Sequence, residues 1–156
     1  MRHLIEKFDR TIISRLQKWK IPLARTAIFL VYFWFGALKL AGVSPAEPIV
    51  RELFQQTIPF ASFTAFYTFF SLFEIAIGII FLVRGWERLA IVLLGIHLAT
   101  TAMPLLLLPA ITWQGFLTPT LEGQYIIKNI LIAAAAVVIG SKLVPMNSTR
   151  RPISRK

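Results

Sequence analysis

One long apolar stretch with a single acidic residue near its middle constrains this chain more than any other feature. Residues 59–83 carry one formal charge, Glu74, in an otherwise uncharged and mostly apolar segment. About 20 apolar residues allow a helix to cross the hydrocarbon core of a bilayer, and a carboxylate near the midplane costs about 2.5–3.5 kcal/mol on insertion scales. We therefore expect Glu74 to turn toward other helices, where a basic or imidazole group can partner it.

The residues around Glu74 predict how this helix packs. Small or hydroxylated side chains recur on it at steps of three and four, namely Thr64, Tyr67, Thr68, Ser71, Glu74 and Gly78. Residues at this spacing share one helical face, and the opposite face is rich in Phe, Ile and Leu. We expect the first face to contact other helices and the aromatic face to contact lipid.

Composition places the whole chain in a membrane. Of its 156 residues 56% are hydrophobic, and the mean hydropathy is +0.69, which exceeds that of ordinary soluble domains. The net charge of +10 comes from Lys and Arg beside the apolar segments, so we expect contact with anionic lipid head groups and not with nucleic acid. The chain has no cysteine, which excludes disulfides, thiol redox chemistry and thiolate metal sites.

Hydrophobic patterning predicts an all-α, polytopic membrane protein, a bundle of four transmembrane helices formed by residues 22–144. The predicted spans cover about residues 23–42, 59–83, 89–108 and 124–144. Pro104 is expected to kink the third span. Between spans one and two we expect an outer loop with a short helix at 49–56, and residues 109–123 are expected to form a second outer loop.

The two ends of the chain are basic. Residues 1–21 are predicted to form an amphipathic interfacial helix that Pro22 ends, because one face collects the apolar side chains Leu4, Ile5, Phe8, Ile12, Leu16 and Trp19. A basic tail without fixed structure is the alternative for this segment. Residues 145–156 are predicted to form a basic cytoplasmic tail.

Positive charges predict the orientation. Seven Lys and Arg residues lie in 2–25, two in the turn 84–88 and five from Lys142 onward, whereas the outer loops hold only Arg51. Because cytoplasmic segments are enriched in Lys and Arg, both termini are expected in the cytoplasm.

Depth along the helices sorts the ionisable residues into two layers. At 1.5 Å per residue, Arg25 and Glu74 lie about 10 and 5 Å inward of their span midpoints and His97 lies near its midpoint. Glu74 can therefore pair with Arg25 in a structural ion pair, or with His97. Lys39 and Lys128 lie about 10 Å outward. They need a counter-anion, which Glu47, Glu52, Glu122 or a ligand could supply.

This arrangement predicts a candidate ligand site. Five residues are expected to line a small cavity that opens outward and takes a quinone-sized or other small ligand, namely Tyr32, Lys39, Glu74, His97 and Lys128. Structural alternatives stay open: a helix-locking ion pair for Glu74, snorkelling for the lysines and an interhelical hydrogen bond for His97. No metal site is expected, because one buried histidine and one buried carboxylate are too few.

Short motifs resemble those of the DoxX-like superfamily of four-helix membrane proteins and the related YkgB-type proteins. They are Arg25, Phe35-Gly36-Ala37-Leu38-Lys39-Leu40, Glu74 with Gly78, and the segment 121–129, LEGQYIIKN. The resemblance covers most of residues 23–144 and implies a four-helix bundle in a bacterial cytoplasmic membrane. Some relatives are membrane subunits of thiosulfate:quinone oxidoreductase, and others are tied to oxidative or chlorine stress.

Three functions follow as hypotheses. The first is a DoxX-like membrane protein in quinone-linked redox or stress physiology, which acts with a soluble partner or as a homo-oligomer and is not expected to be an enzyme on its own. The second is a small proton-coupled carrier that uses Glu74 and His97. The third is a non-catalytic scaffold subunit. Quinone is the one cofactor that this interpretation suggests.

Overall fold

The computed structural model describes residues 2–145, so all but the first residue of the predicted tail 145–156 lie outside the described part of the chain. Four of its helical segments are long and apolar enough to cross a membrane, namely Ile5–Leu40, Phe63–Leu82, Glu87–Leu107 and Leu121–Gly140. The predicted all-α character and the predicted number of helices able to cross a membrane are therefore confirmed.

The secondary structure consists of eight helices and one small hairpin within the described residues. The helices are α1 Arg2–Leu40, α2 Glu47–Thr57, α3 Phe63–Leu82, α4 Glu87–Ala102, α5 Pro104–Leu107, α6 Pro109–Thr112, α7 Leu121–Ile127 and α8 Asn129–Gly140. The hairpin pairs β1 Trp113–Gly115 with β2 Thr118–Pro119 in antiparallel register. One end of the bundle, called here the loop end, carries residues 41–62 and 108–120, and the opposite turn end carries residues 83–86.

The first helix does not end at Pro22. It runs without interruption over 39 residues and has Pro22 in its interior, so the predicted boundary between an interfacial helix and span one is wrong. Proline removes one backbone hydrogen bond, the one to the carbonyl of Lys18. Residues 5–20 are exposed, so that carbonyl lies where solvent or lipid head groups can bind it and the helix can continue. The apolar residues Ile5, Phe8, Leu16 and Trp19 are among those exposed.

Spans two and three form a tight helical hairpin at the turn end. α3 begins at Phe63, four residues later than predicted, because the Ser62 side chain caps it by accepting a hydrogen bond from the amide of Ala65. Gly85 adopts φ +90° between α3 and α4, a conformation that favours glycine. The connection is therefore short enough to hold α3 and α4 side by side.

Proline interrupts span three where a kink was predicted. α4 ends at Ala102 and α5 begins at Pro104, which has no amide hydrogen to donate to the carbonyl of Thr100. The amide of Met103 donates to that carbonyl instead, over 3.2 Å. The span therefore continues to Leu107 as two helical pieces.

Both loop-end connections contain regular structure. α2 confirms the predicted short helix. The second connection was predicted as a loop, but it contains α6 and the β1–β2 hairpin. Side-chain hydrogen bonds anchor it: the buried Thr112 hydroxyl lies 3.0 Å from the carbonyl of Leu108, and the indole of Trp113 donates to the carbonyl of Leu105 over 2.9 Å. These side-chain-to-backbone bonds do not follow a periodic pattern, so the sequence did not reveal them.

Span four is divided at Lys128 and starts against the hairpin. The Thr120 side chain caps α7 by accepting from the amide of Gly123 over 3.1 Å. A Cβ atom at Gly123 would lie 2.2 Å from the carbonyl oxygen of Thr112, so glycine permits this close approach of two backbones. Beyond α7, the amide of Leu131 donates to the carbonyl of Lys128, a tighter turn that separates α7 from α8.

The antiparallel pair α1 and α3 forms the most extensive helix contact of the bundle. Two glycines bring the backbones together: a Cβ at Gly36 would lie 2.8 Å from the carbonyl oxygen of Ser71, and one at Gly78 would lie 3.2 Å from that of Phe29. Close backbone approach at small residues is typical of membrane helix pairs. This contact fixes which residues of the two helices face each other.

The buried residues of α3 test the predicted division into two faces. Tyr67, Ser71, Glu74 and Gly78 are buried, as predicted. Thr64 and Thr68 are exposed, because they lie on the edge of that face and no helix covers them. An apolar core continues toward the turn end, formed by Ile28, Ile77, Phe81, Ala90, Leu94, Ala136 and Ile139 together with Tyr32.

Candidate functional site

Four ionisable side chains form a continuous hydrogen-bonded row inside the bundle, called here the buried network. The Lys39 ammonium donates to Glu74 Oε2 over 2.5 Å, and Glu74 Oε1 lies 2.8 Å from His97 Nε2. His97 Nδ1 in turn lies 3.1 Å from the hydroxyl of Tyr32. α1, α3 and α4 each contribute to the network, so it joins three of the four spans.

The network is withdrawn from the surroundings of the bundle. Tyr32, Lys39, Glu74 and His97 are 4, 8, 5 and 4% exposed. Because a low-dielectric interior strengthens electrostatic interactions and penalises unpaired charges, the ammonium and the carboxylate depend on each other. Glu74 therefore turns toward other helices, as predicted. Of its two alternative predicted partners His97 is present, and the basic partner is Lys39 in place of Arg25.

The hydrogen-bond directions follow from the chemistry of the groups. An ionised carboxylate only accepts, so His97 Nε2 is the protonated nitrogen that donates to Glu74. In the neutral imidazole Nδ1 then accepts, and the Tyr32 hydroxyl donates to it. Tyr32 and His97 therefore form a relay that donates toward Glu74, and the Lys39 ammonium donates to Glu74 from the other side, so the hydrogen bonds of the row converge on the carboxylate.

Helix packing explains why these residues meet. Tyr32, Gly36 and Lys39 follow one another at steps of four and three and therefore share a face of α1. Gly36 lies against α3 at Ser71, one turn from Glu74, so Lys39 reaches the carboxylate from the next turn. The tight turn at 83–86 then brings α4 and His97 against α3.

Aromatic rings surround His97. The Phe70 ring stacks on the imidazole at a centroid distance of 4.9 Å and an angle of 17°, and Tyr32 meets it edge-on at 5.0 Å. Phe73 lies 6.1 Å away, and the Lys39 ammonium lies 5.8 Å from the Phe70 centroid. These rings fix the orientation of the imidazole and separate the network from lipid.

The predicted Arg25–Glu74 ion pair is not formed. Arg25 Nε donates to the carbonyl of Phe81 over 2.6 Å, and Nη2 donates to the carbonyl of Val83 over 2.9 Å and to Glu87 Oε1 over 2.8 Å. The last carbonyls of a helix lack intrahelical donors, and a cation there also interacts favourably with the helix dipole. Arg25 therefore binds the end of α3, about two turns away from Glu74.

Lys128 does not belong to the network. It is exposed, and its ammonium lies 5.1 Å from the centroid of the Tyr125 ring. The prediction grouped Lys39 and Lys128 by depth, but the two side chains point differently. Lys39 turns inward to Glu74, and Lys128 stands on the exposed face at the break between α7 and α8.

Two grooves of the bundle lie away from the network. One, of about 320 Å³, separates α4 and α5 from α7 and α8 and is lined by Leu98, Thr101, Asn129 and neighbouring apolar residues. The other, of about 450 Å³, is lined by Leu30, Val31, Trp34 and Phe35. None of the four network residues lines either groove, so the network closes on itself instead of surrounding these spaces.

Two residues received no individual role in the sequence-based interpretation, Glu87 at the turn end and Tyr67 in span two. Glu87 is the first residue of α4 and pairs with Arg25, and its proximity to Arg84 and Arg88 in the chain concealed this role. Tyr67 is buried, and its hydroxyl makes no hydrogen bond to any described residue. Its place on the polar face of α3, four residues before Ser71 and seven before Glu74, was the available signal.

Three comparisons of the chain with known proteins found no match. No family model matches the chain, and no curated protein or solved structure matches it. Among the described residues, no group of three or more His, Asp or Glu side chains is arranged to hold a metal ion. Function must therefore be argued from the buried network itself.

Proposed function

We propose that this chain is a DoxX-like membrane subunit that binds a quinone-like ligand and exchanges protons with it through the buried network. The observation that carries the proposal is the unbroken row Tyr32–His97–Glu74–Lys39 within the bundle. Buried ionisable groups are costly in membranes and typically belong to ligand or proton pathways. A quinone suits such a row because its reduction to a quinol takes up two electrons and two protons.

The proposal assigns the electrons to a partner. The chain lacks cysteine, so it has no thiol to act as an electron carrier. A soluble redox partner, or another subunit of the same assembly, would supply or accept the electrons. The chain would contribute the binding surface and the protons, which makes it a membrane subunit of a quinone-linked oxidoreductase and not a complete enzyme.

The apolar layer beneath the network favours this role over that of a proton carrier. Ile28, Ile77, Phe81 and Leu94 are at most 1% exposed and fill the bundle toward the turn end. Beyond them lies the Arg25–Glu87 pair. A carrier needs alternating access from both sides, whereas this network has its outermost member, Lys39, one residue from the end of α1 at the loop end.

The distribution of charge supports a location in the bacterial cytoplasmic membrane with both termini inside. The turn end carries Arg84 and Arg88, and the loop end carries only Arg51. In this orientation the exposed apolar side chains of the first turns of α1 would lie in the inner membrane interface, beside anionic head groups. The network would then open toward the outer face.

Single cysteines test this orientation, because the natural chain has none. In intact cells, an impermeant maleimide is expected to label Thr118→Cys, which lies in the exposed hairpin, and to leave Ser14→Cys unlabelled until the membrane is opened. Labelling is read by mass shift on a gel. The reverse pattern would place the termini outside and would contradict the proposed orientation.

Quinone retention tests the ligand. Protein purified in mild detergent from a quinone-containing membrane is expected to retain quinone, measured by solvent extraction and chromatography. Lys39→Ala is expected to lower the occupancy about tenfold, since it removes a charged hydrogen-bond donor.

Lys128→Ala provides the matched control, because it removes the same group from an exposed position. The depth argument from sequence predicts a loss for both lysines, whereas the geometry predicts a loss for Lys39 alone. Wild-type protein that never retains quinone under these conditions would eliminate the proposed ligand.

A scaffold subunit is the second candidate, and one observation favours it. Both oxygens of Glu74, both nitrogens of His97 and the Tyr32 hydroxyl are already bonded within the network. Locking three helices in register would be a sufficient role for such a fully bonded network. A scaffold would bind no quinone. Substitutions in the network would then lower its stability and would have no ligand binding to affect.

A further inference from the structure

We infer that Tyr67 and Lys39 form the ligand-binding entrance of the buried network, under α2, and that each donates a hydrogen bond to a different carbonyl oxygen of a planar ring. The inference rests on the proposed function and gives it a location. It starts from the Tyr67 side chain, which is 8% exposed and whose hydroxyl has no hydrogen-bond partner among the described residues.

An unpaired buried hydroxyl is unusual in this bundle. The Ser71 hydroxyl donates to the carbonyl of Tyr67 over 2.6 Å, the Thr112 hydroxyl lies within reach of two carbonyls, and Tyr32 bonds His97. Buried polar groups are normally paired because leaving one unpaired forfeits its hydration without compensation. The Tyr67 hydroxyl therefore has a donor available for a molecule that enters from outside the chain.

The Tyr67 hydroxyl lies at the loop end of the network. Helical side chains lean toward the N-terminus of their helix, and α3 begins at the loop end, so Tyr67 leans away from Glu74 toward the loop. There its ring stacks on Phe63 at 5.2 Å, and the Ser44 hydroxyl lies close to the Tyr67 hydroxyl but outside hydrogen-bond geometry. A ligand approaching from the loop end would meet Tyr67 before the rest of the network.

Lys39 supplies the second donor. Its ammonium has three hydrogens, and one of them is donated to Glu74. Three nearby acceptor side chains already receive hydrogen bonds: both Glu74 oxygens are bonded, Ser44 Oγ accepts from the amide of Ala46 over 3.3 Å, and Glu47 Oε1 accepts from Arg51 over 2.5 Å. The uncommitted groups are therefore donors, which select an oxygen acceptor.

Aromatic side chains favour a planar apolar ligand. Phe54 of α2 is 4% exposed and packs on Phe63 at 5.5 Å and on Phe66 at 5.0 Å, next to Tyr67. Phe70 continues this aromatic wall down to His97. Rings that pack against one another in this way can also pack against an inserted ring, and two carbonyl oxygens of that ring would then meet Tyr67 at the loop end and Lys39 beside Glu74.

α2 covers the entrance through Phe54, which packs on Phe63 and Phe66. Ligand entry requires Phe54 to leave its place on Phe63 and Phe66. Phe54→Ala is therefore expected to speed the association of the ligand.

Tyr67→Phe tests the site, because it removes the hydroxyl and keeps the ring. In the full chain in lipid nanodiscs, decylubiquinone is expected to bind about five- to tenfold more weakly to this variant, the effect of losing one hydrogen bond. Tyr125→Phe, at an exposed tyrosine of span four, is the matched control and should bind as the wild type does.

Thermal unfolding without ligand gives a second readout. Tyr67→Phe should unfold at the same or a higher temperature, since it removes a buried hydroxyl that has no partner. Tyr32→Phe should unfold at a lower temperature, since its hydroxyl is bonded to His97. A lower unfolding temperature for Tyr67→Phe would mean that its hydroxyl is structural and would overturn the inference.

The outcomes separate the two proposals. If the wild type binds no decylubiquinone, the proposed function fails. If the wild type binds it and Lys39→Ala weakens binding while Tyr67→Phe does not, the function stands and this entrance site is wrong. If sulfate or chloride binds through Tyr67 and decylubiquinone does not, the ligand class inferred here is wrong.

Discussion

Glu74→Leu is expected to lower the free energy of unfolding by about 3 to 5 kcal/mol, the cost of removing one partner from a buried ion pair. The substitution leaves the Lys39 ammonium buried without an anion and leaves His97 Nε2 without its acceptor. The effect is measured by unfolding in mixed detergent micelles. This loss of stability should be among the largest that any single substitution in the bundle causes.

Glu122→Leu is the matched control, since it removes an exposed carboxylate from the first turn of α7 and should cost less than about 1 kcal/mol. The double variant Lys39→Met with Glu74→Leu should recover much of the loss, because apolar side chains of similar volume can replace a buried pair. If the double variant instead loses the sum of the losses of Lys39→Met and Glu74→Leu, the two side chains are not coupled, which would contradict the geometry.

The sequence predicted the members of the network better than their pairing. A carboxylate in an apolar span demanded burial and a basic or imidazole partner, and Glu74 has both. Tyr32 and His97 were placed correctly because each lies well inside a span. These predictions needed only residue type, helical period and depth.

The pairing of Arg25, Lys39 and Lys128 depended on information that depth does not contain. Long basic side chains extend several ångströms along the helix axis, so two groups about 15 Å apart in depth by rise per residue can still meet. The register of α1 on α3 decided the matter by placing Lys39, and not Arg25, beside Glu74. Lys128 differs again, because the break after α7 turns it to the exposed face.

Breaks and turns of the backbone were predicted correctly only at positions where a proline or a glycine indicated them. Pro104 interrupts span three and Gly85 makes the turn, as their chemistry requires. Pro22 was misinterpreted, because proline disfavours a helix interior and does not forbid it. The β1–β2 hairpin depends on contacts among Thr112, Trp113 and distant carbonyls, which no local pattern encodes.

The second large effect is expected at the contact that sets this register. Gly36→Val should lower the free energy of unfolding by about 3 kcal/mol, at the upper end of overpacking costs. Its Cβ would lie 2.7 Å from Ile75 Cγ1 and 2.8 Å from the carbonyl oxygen of Ser71. The Ile75 side chain can move, but the carbonyl belongs to the α3 backbone, so α1 and α3 must separate. The loss is measured by the same unfolding assay in mixed micelles.

Gly95→Val serves as the control, because Gly95 is an exposed helical glycine of α4 with nothing within 4 Å of an added Cβ. It should change stability by less than about 0.5 kcal/mol. Separation of α1 from α3 also moves Lys39 away from Glu74, since Lys39 lies one turn beyond Gly36 on the same face. The coupling energy between Lys39 and Glu74 should therefore fall toward zero in the Gly36→Val background and persist in the Gly95→Val background. If it persists in both, the ion pair does not depend on the glycine contact, and the network must be held together by α4 through His97 instead.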